Sequence, residues 1–351
     1  MKTKNKKIQH QIMKALICKE PGKFEYQNIK KPVPEKGKAI IKIKRIGICG
    51  TDLHAFEGNQ PFFKYPRIFG HELSGELISH TGSGNFNEGQ KVTIIPYFHC
   101  GKCIACKSGK PNCCDQIKVC GVHIDGGMTE YIQVPSNSLV SGKGLTFNEL
   151  ALVEPLSIGA HGVNRANIKP NETTLVVGAG PIGLSIIHFL KIQGARVIVL
   201  DIDNQRLDYC KKTAGADLII NSEQEDPYDK IKKYTNSNFP TALFDATGNK
   251  HAINNTFKYM AHGARYIIVG LQKGNIIINH PEFHKREGTL MSSRNATRKD
   301  FEYVINCLQN KKIKASNFIT HETSFSMIKN EFEQLFKPEN RQIKTLIRME
   351  E

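Results

Sequence analysis

The segment 173–203, TTLVVGAGPIGLSIIHFLKIQGARVIVLDID, leaves this chain the fewest choices. An apolar run stops at a glycine turn, an apolar helical stretch follows, and a second apolar run ends at Asp201. A strand–helix–strand unit of this kind gives two parallel strands, because the helix must cross back over the sheet they share. Gly178, Gly180 and Gly183 fit G-x-G-x-x-G, and Asp201 lies 23 residues beyond the first glycine. Glycines there let the backbone approach a pyrophosphate, which sits at the N-terminus of the helix opened by Pro181 and Ile182. An acid ending the second strand bonds a ribose diol and repels a 2′-phosphate, so NAD is expected over NADP. Arg206 joins these residues as a candidate cofactor contact.

The stretches ADLIINS, TALFDATGN and ARYIIVGLQKG continue the strand pattern, each followed by a turn or helix signal. They define a doubly wound parallel-sheet domain over 156–295. From Arg298 the spacing predicts an amphipathic helix, and QIKTLIRM reads as a closing strand. Before residue 155 the chain differs in character. KALICKEPGKFEYQNI, AIIKIKRIGI, HELSGELISH and QKVTIIPYFHC are short strands between glycine-rich turns. The expected organisation is a lysine-rich disordered leader (1–13) and a β-rich domain over 14–155. Residues 296–351 are expected to pack back on that domain.

Two clusters carry metal chemistry. GICGTDLHAFEGNQPFFKYPRIFGHE holds Cys49, Thr51, His54, His71 and Glu72 within one short span. Thiolate sulfur and imidazole nitrogen are preferred zinc ligands, and a catalytic zinc keeps three protein ligands and one open position. Alone, Cys49 and His71 would read as a buried thiol and a core histidine. The second cluster is C-x2-C-x2-C-x7-C: Cys100, Cys103, Cys106 and Cys114. Four thiolates make a closed tetrahedral set suited to a structural zinc. The spacing also admits Cys113 in place of Cys114. Cys18, Cys120, Cys210 and Cys307 read as small buried apolar residues.

Composition narrows the class. The chain has 351 residues, room for two domains. Its net charge is +16, but the lysines are scattered and no nucleic-acid motif accompanies them, so no nucleic-acid partner is expected. No apolar run approaches the ~18 residues of a membrane span. The basic start lacks a small-residue cleavage site, so a cytoplasmic protein without a membrane partner is expected.

With CGTDLH, GHE, the cysteine loop, EPLSIGAHG and GAGPIG in this order, the chain resembles the zinc-dependent medium-chain dehydrogenases from residue 14 to 348. GNQPFFKYPR, GVHIDGGMTEY, DATGNKHAINNT and PEFHKREGTLMSSRNAT are similar to the polyol and sugar-acid branch of that family. The resemblance implies an α/β protein with a GroES-like catalytic domain and a Rossmann cofactor domain. It implies one catalytic zinc on Cys49 and His71, with Glu72 bound or swinging on and off the metal. Glu154 stands where alcohol dehydrogenases carry a third cysteine, to bind zinc directly or through water. A second zinc, NAD, and a proton relay through Thr51 and His54 complete the set.

The implied reaction oxidises a secondary hydroxyl of a sugar acid such as a hexonate, with hydride passing to NAD. A polyol or L-threonine substrate is the alternative on the same machinery, and a non-catalytic nucleotide-sensing zinc protein is the distant one. Arg294 is the first candidate for a substrate carboxylate, although a solvated or cofactor-contacting arginine reads equally well; His123 and Lys64 are weaker. A homodimer or homotetramer is expected from the resemblance.

Overall fold

Ile41 and Ile43 alternate with lysines along Lys38–Gly47, the register shifts between Ile43 and Arg45, and Ile41, Ile43 and Ile46 are all buried. That strand holds the first sheet together. Glu72–His80 runs antiparallel along one side of it, while Tyr131–Pro135 and Lys344–Arg348 share the other. The sheet has seven strands, with Ile319–Ser324 added in parallel on Lys344–Arg348. A three-stranded sheet of Lys23–Lys30, Ile12–Glu20 and Arg67–Ile68 accompanies it. Phe24, Phe56, Phe69 and Phe332 meet in this core, with ring centroids 4.9–6.5 Å apart. Phe332 comes from the returning C-terminal segment, so the tail contributes to this core directly.

The computed structural model describes residues 12–61, 63–82, 84–336 and 342–349. The described residues of Met1–Ser108, Cys114–Glu154 and Ile319–Glu351 form one unit. Gly109–Cys113 and Pro155–Phe318 form the other. Among the described residues no helix is long and apolar enough to cross a membrane.

The second unit is built on six parallel strands: Thr173–Val177, Arg196–Asp201, Leu218–Asn221, Ala242–Asp245, Arg265–Ile268 and Thr289–Ser292. Their order, third–second–first–fourth–fifth–sixth, reverses direction between the first and fourth, where a doubly wound sheet opens its ligand crevice. Residues such as Val176, Val199 and Phe244 are fully buried, as strands covered on both faces require.

Three expectations need correction. The boundary at 295 moves to 318, because helix Arg298–Gln309 buries Phe301, Val304, Ile305 and Leu308 within the second unit. Tyr303 also packs on Phe189, with ring centroids 5.6 Å apart. The sheet gains a sixth strand, Thr289–Ser292, which is too short and too polar at its ends to stand out in the sequence. Ile12 and Met13 are no part of a disordered leader. They begin the strand Ile12–Glu20 and pair with Lys30 and Ile29. The rest of the expected leader, 1–11, lies outside the described residues.

One buried histidine makes stability pH-dependent. His188, on helix Pro181–Ile192, is 7 % exposed beside Phe318, and burial pushes its pKa down to about 4. The folded state therefore keeps it neutral where the unfolded chain would take up a proton. Its contribution is full above the unfolded value near 6.5 and is lost as pH falls toward 4. His188→Leu should remove about 2 kcal/mol of the stability difference between pH 7 and pH 5, measured by urea unfolding. An unchanged difference would contradict the assignment.

Candidate metal and cofactor sites

Two adjacent turns in the first unit bring the donors together. Cys49 precedes helix Gly50–Phe56, and His71 and Glu72 lie where strand Glu72–His80 begins. Asp52, 1 % exposed, fastens the two turns: its Oδ2 accepts Cys49 N–H at 3.0 Å and its Oδ1 accepts Gly70 N–H at 3.3 Å. Asp52 Oδ1 also lies 3.8 Å from His71 Nδ1, close enough for their charges to act on one another but too far for a hydrogen bond. Donor atoms of Cys49, His71 and Glu72 all fall within 4.8 Å of one another.

A buried ion pair holds Glu72. This glutamate is fully buried, and its Oε1 accepts Lys344 Nζ at 2.6 Å. Lys344, 4 % exposed, also donates to Ile48 O at 2.9 Å. Burial would lower the lysine pKa, but the charges of Glu72 and Cys49 hold it above its usual value. Gly47 pairs with Glu72 in register, and a methyl group on Gly47 would lie 2.0 Å from Glu72 Oε2. Glu72 Oε2 and His71 Nδ1 are buried without a hydrogen-bond partner among the described residues. Buried polar atoms are rarely left so. Sulfur, nitrogen and oxygen donors with an unpaired carboxylate oxygen fit a zinc ion.

Glu154 stays outside that three-residue group. It lies in the first turn of helix Val153–Ala166, and its Oε1 accepts the hydroxyl of the buried Tyr97. Burial pushes Glu154 up to about 7, against the lowering pull of His71. Burial and the Glu154 charge push Tyr97 well above 10. The imidazole of His71 is also raised: burial opposes this, but the charges of Cys49 and Asp52 prevail. Thr51 and His54 both sit on helix Gly50–Phe56, Thr51 half-buried and His54 exposed with Nδ1 3.5 Å from Glu57.

Cys100, Cys103, Cys106 and Cys114 converge in the same unit, with their sulfurs within 4.8 Å of one another. Cys114 is buried and accepts Cys100 N–H and Gln116 N–H, both at 3.3 Å. Cys113 is exposed and outside the group. Among the described residues no cysteine is in a disulfide. Backbone N–H groups of Lys102 and Cys103 draw Cys100 down to about 7, while desolvation and the neighbouring Cys103 push Cys106 up to about 12.

The glycine turn of the second unit fits a dinucleotide. Gly178 takes φ +97°, and a methyl group on Gly183 would lie 1.7 Å from Gly178 O. Space is open at Gly180, at the start of helix Pro181–Ile192, where backbone N–H groups need an anion or water. Asp201 also fastens this turn: Oδ2 accepts Ala179 N–H at 2.6 Å and Oδ1 accepts Ile202 N–H at 2.8 Å. Arg206 lies in the first turn of Asn204–Ala214, its N–H on Asp203 Oδ1 and its Nε buried without a partner among the described residues.

The remaining substrate candidates separate. His123, in the first unit, accepts Val119 N–H at 3.1 Å through Nδ1, and Lys64 is exposed. Arg294, in the second unit, is exposed on the turn after Thr289–Ser292. Sequence reasoning did not single out Asp52, Tyr97 or Lys344. Asp52 stands inside CGTDLH, and that was the only available signal.

Residues 35–143 match the alcohol dehydrogenase GroES-like domain, and residues 181–310 match the zinc-binding dehydrogenase domain. The chain belongs to the zinc-dependent medium-chain dehydrogenases and is an oxidoreductase of the alcohol and polyol type. It is 42 % identical to L-galactonate-5-dehydrogenase of Escherichia coli K12, over 92 % of this chain and 95 % of that one. It is 32 % identical to sorbitol dehydrogenase of Bacillus subtilis, over 76 % of this chain and 77 % of that one. Among solved structures, the RspB alcohol dehydrogenase of E. coli CFT073, complexed with NADH, is 30 % identical. It superposes with a TM-score of 0.89, covering 96 % of this chain and 99 % of that one.

The Lys344–Glu72 pair is testable in the metal-free protein. Lys344→Met should cost about 3 kcal/mol in urea unfolding, because it leaves a buried carboxylate without its partner. Lys344→Met with Glu72→Met should recover most of that loss. A single-variant cost below ~1 kcal/mol would show that the pair is not buried as described.

Proposed function

We propose that the chain oxidises a secondary hydroxyl of a sugar acid, a hexonate resembling L-galactonate, with NAD as hydride acceptor. The observation that carries this reading is the Cys49–His71–Glu72 group in a chain 42 % identical to an L-galactonate-5-dehydrogenase along almost its whole length. The net charge of +16 favours an anionic substrate over a neutral one.

In this reading Cys49, His71 and Glu72 hold the catalytic zinc. Lys344 keeps one oxygen of Glu72 occupied, leaving the other for the metal. Bound zinc supplies a Lewis acid that lowers the pKa of the substrate hydroxyl, and NAD supplies the hydride acceptor. Thr51 would relay the hydroxyl proton, accepting it as it gives up its own, and His54, exposed beside Glu57, would release a proton to solvent at the end of the relay. Glu154, engaged by Tyr97, orders the polar space beside the metal. Cys100, Cys103, Cys106 and Cys114 hold a structural zinc. The Gly178–Gly183 turn receives the pyrophosphate, and Asp201 disfavours a 2′-phosphate, which favours NAD over NADP. Arg294 receives the substrate carboxylate. The protein works in the cytoplasm as a homodimer or homotetramer. The second reading, a neutral polyol substrate, is supported by the 32 % identity to a sorbitol dehydrogenase.

NADH formation by zinc-loaded protein should be measured across L-galactonate, L-gulonate, L-idonate, D-gluconate, sorbitol, galactitol, L-threonine and ethanol. A hexonate should exceed sorbitol and galactitol by at least about tenfold in kcat/KM, as expected for a charge-assisted carboxylate–arginine contact. Sorbitol or galactitol leading would move the protein to the polyol reading.

A further inference from the structure

The Gly109–Cys113 end of the cysteine loop belongs to the second unit, although the chain on either side of it belongs to the first. Its short helical turn, Pro111–Cys113, buries a single side chain, that of Asn112. A polar side chain buried in a loop needs hydrogen-bond partners; the amide nitrogen of Asn112 finds them, while its Oδ1 has none among the described residues. Nδ2 donates to Arg294 O at 2.9 Å, and the backbone carbonyl of Asn112 accepts Asn295 Nδ2 at 3.0 Å. The bonds run in both directions, so residue 112 grips the turn at Arg294 and Asn295.

The grip is itself supported. His161 Nε2 lies 3.3 Å from Asn112 Nδ2, and His161 Nδ1 lies 2.8 Å from Asp300 Oδ2. With the ring proton on Nδ1, the imidazole donates to Asp300 and accepts from Asn112. Asp300 also accepts Asn164 Nδ2 at 2.9 Å and Thr297 N–H at 2.8 Å. His161, Asp300 and Asn112 are all at most 9 % exposed. Asn295 adopts φ +55°, a left-handed conformation that its surroundings must hold in place. Ser293 and Ala296 are buried on either side, so the backbone is fixed while the Arg294 side chain projects outward.

We infer that Asn112, backed by the His161–Asp300 pair, is a positioning residue that presents the Arg294 guanidinium to the substrate carboxylate. The inference rests on the sugar-acid reading above and adds to it that the cysteine loop helps to set substrate affinity. A fixed turn lowers the ordering cost that a free arginine would incur on binding.

The test uses zinc-loaded full-length protein with Asn112→Ala, Arg294→Met and the double variant. Zinc content is checked in each, because Asn112 lies two residues from Cys114. Asn112→Ala should speed amide hydrogen exchange over 293–297 and raise KM for the preferred hexonate roughly fivefold to tenfold. Its kcat, its KM for NAD and its KM for sorbitol should stay within about twofold. Arg294→Met should raise the hexonate KM at least as much, and Asn112→Ala should add nothing to it. Asn295→Gly tolerates the left-handed conformation and removes only the reciprocal bond. It should show a smaller shift of the same kind, which keeps the test available if Asn112→Ala fails to fold.

An unchanged hexonate KM in Asn112→Ala, or equal rises for hexonate and sorbitol, would overturn the inference and leave the sugar-acid reading in place. So would an Arg294→Met enzyme with wild-type hexonate KM. Wild-type protein that turns over sorbitol but no hexonate would overturn the sugar-acid reading, and this inference with it.

Discussion

A fully buried carboxylate must be neutralised or paired, and in the first unit Glu72 is paired with Lys344 across 272 residues of sequence. Much of that unit's topology follows from this requirement. Lys344–Arg348 has to lie beside Lys38–Gly47, which in turn lies beside Glu72–His80. Residue Gly47 faces Glu72 on one side and Leu346 on the other. Only a residue without a side chain leaves room there for the carboxylate. A buried ion pair is weak evidence for net stability, because desolvation offsets much of the attraction. Its value here is positional: one oxygen of Glu72 is fixed and the other is left unpaired beside Cys49 and His71.

The two glutamates of the site are treated differently. Glu72 faces a lysine and belongs to the donor group; Glu154 faces a tyrosine hydroxyl, and burial lifts its pKa to about 7. Two full negative charges beside a thiolate would repel one another in so little water. A cation on one carboxylate and a neutral donor on the other relieve that repulsion. The Asp52 link then ties the Cys49 turn to the His71 turn through two hydrogen bonds.

Features set by local chemistry were legible in the sequence. The glycine turn with Asp201, the Cys49–His71–Glu72 stretch and the four-cysteine loop each announce themselves by spacing, and their atoms do converge. Features set by distant contacts were not. Lys344 opens the strand Lys344–Arg348, an end position where a lysine ordinarily faces water, and nothing nearby marks it as buried. Tyr97 reads as an ordinary strand aromatic until Glu154 is seen against it. Asn112 looks like a loop asparagine because its partners lie 182 and 183 residues away. The helix Arg298–Gln309 shows its apolar face plainly, yet periodicity does not say which core that face joins. That is why the boundary expected at 295 falls instead at 318.

The most direct test of a zinc-dependent oxidation is a zinc titration of metal-stripped protein, with NADH formation followed on the best substrate. Turnover should be absent without metal and should rise with zinc. Cys49→Ser should take up one zinc fewer per chain, still bind NADH and show no turnover. Turnover by the stripped protein, or by Cys49→Ser at the wild-type rate, would contradict the account.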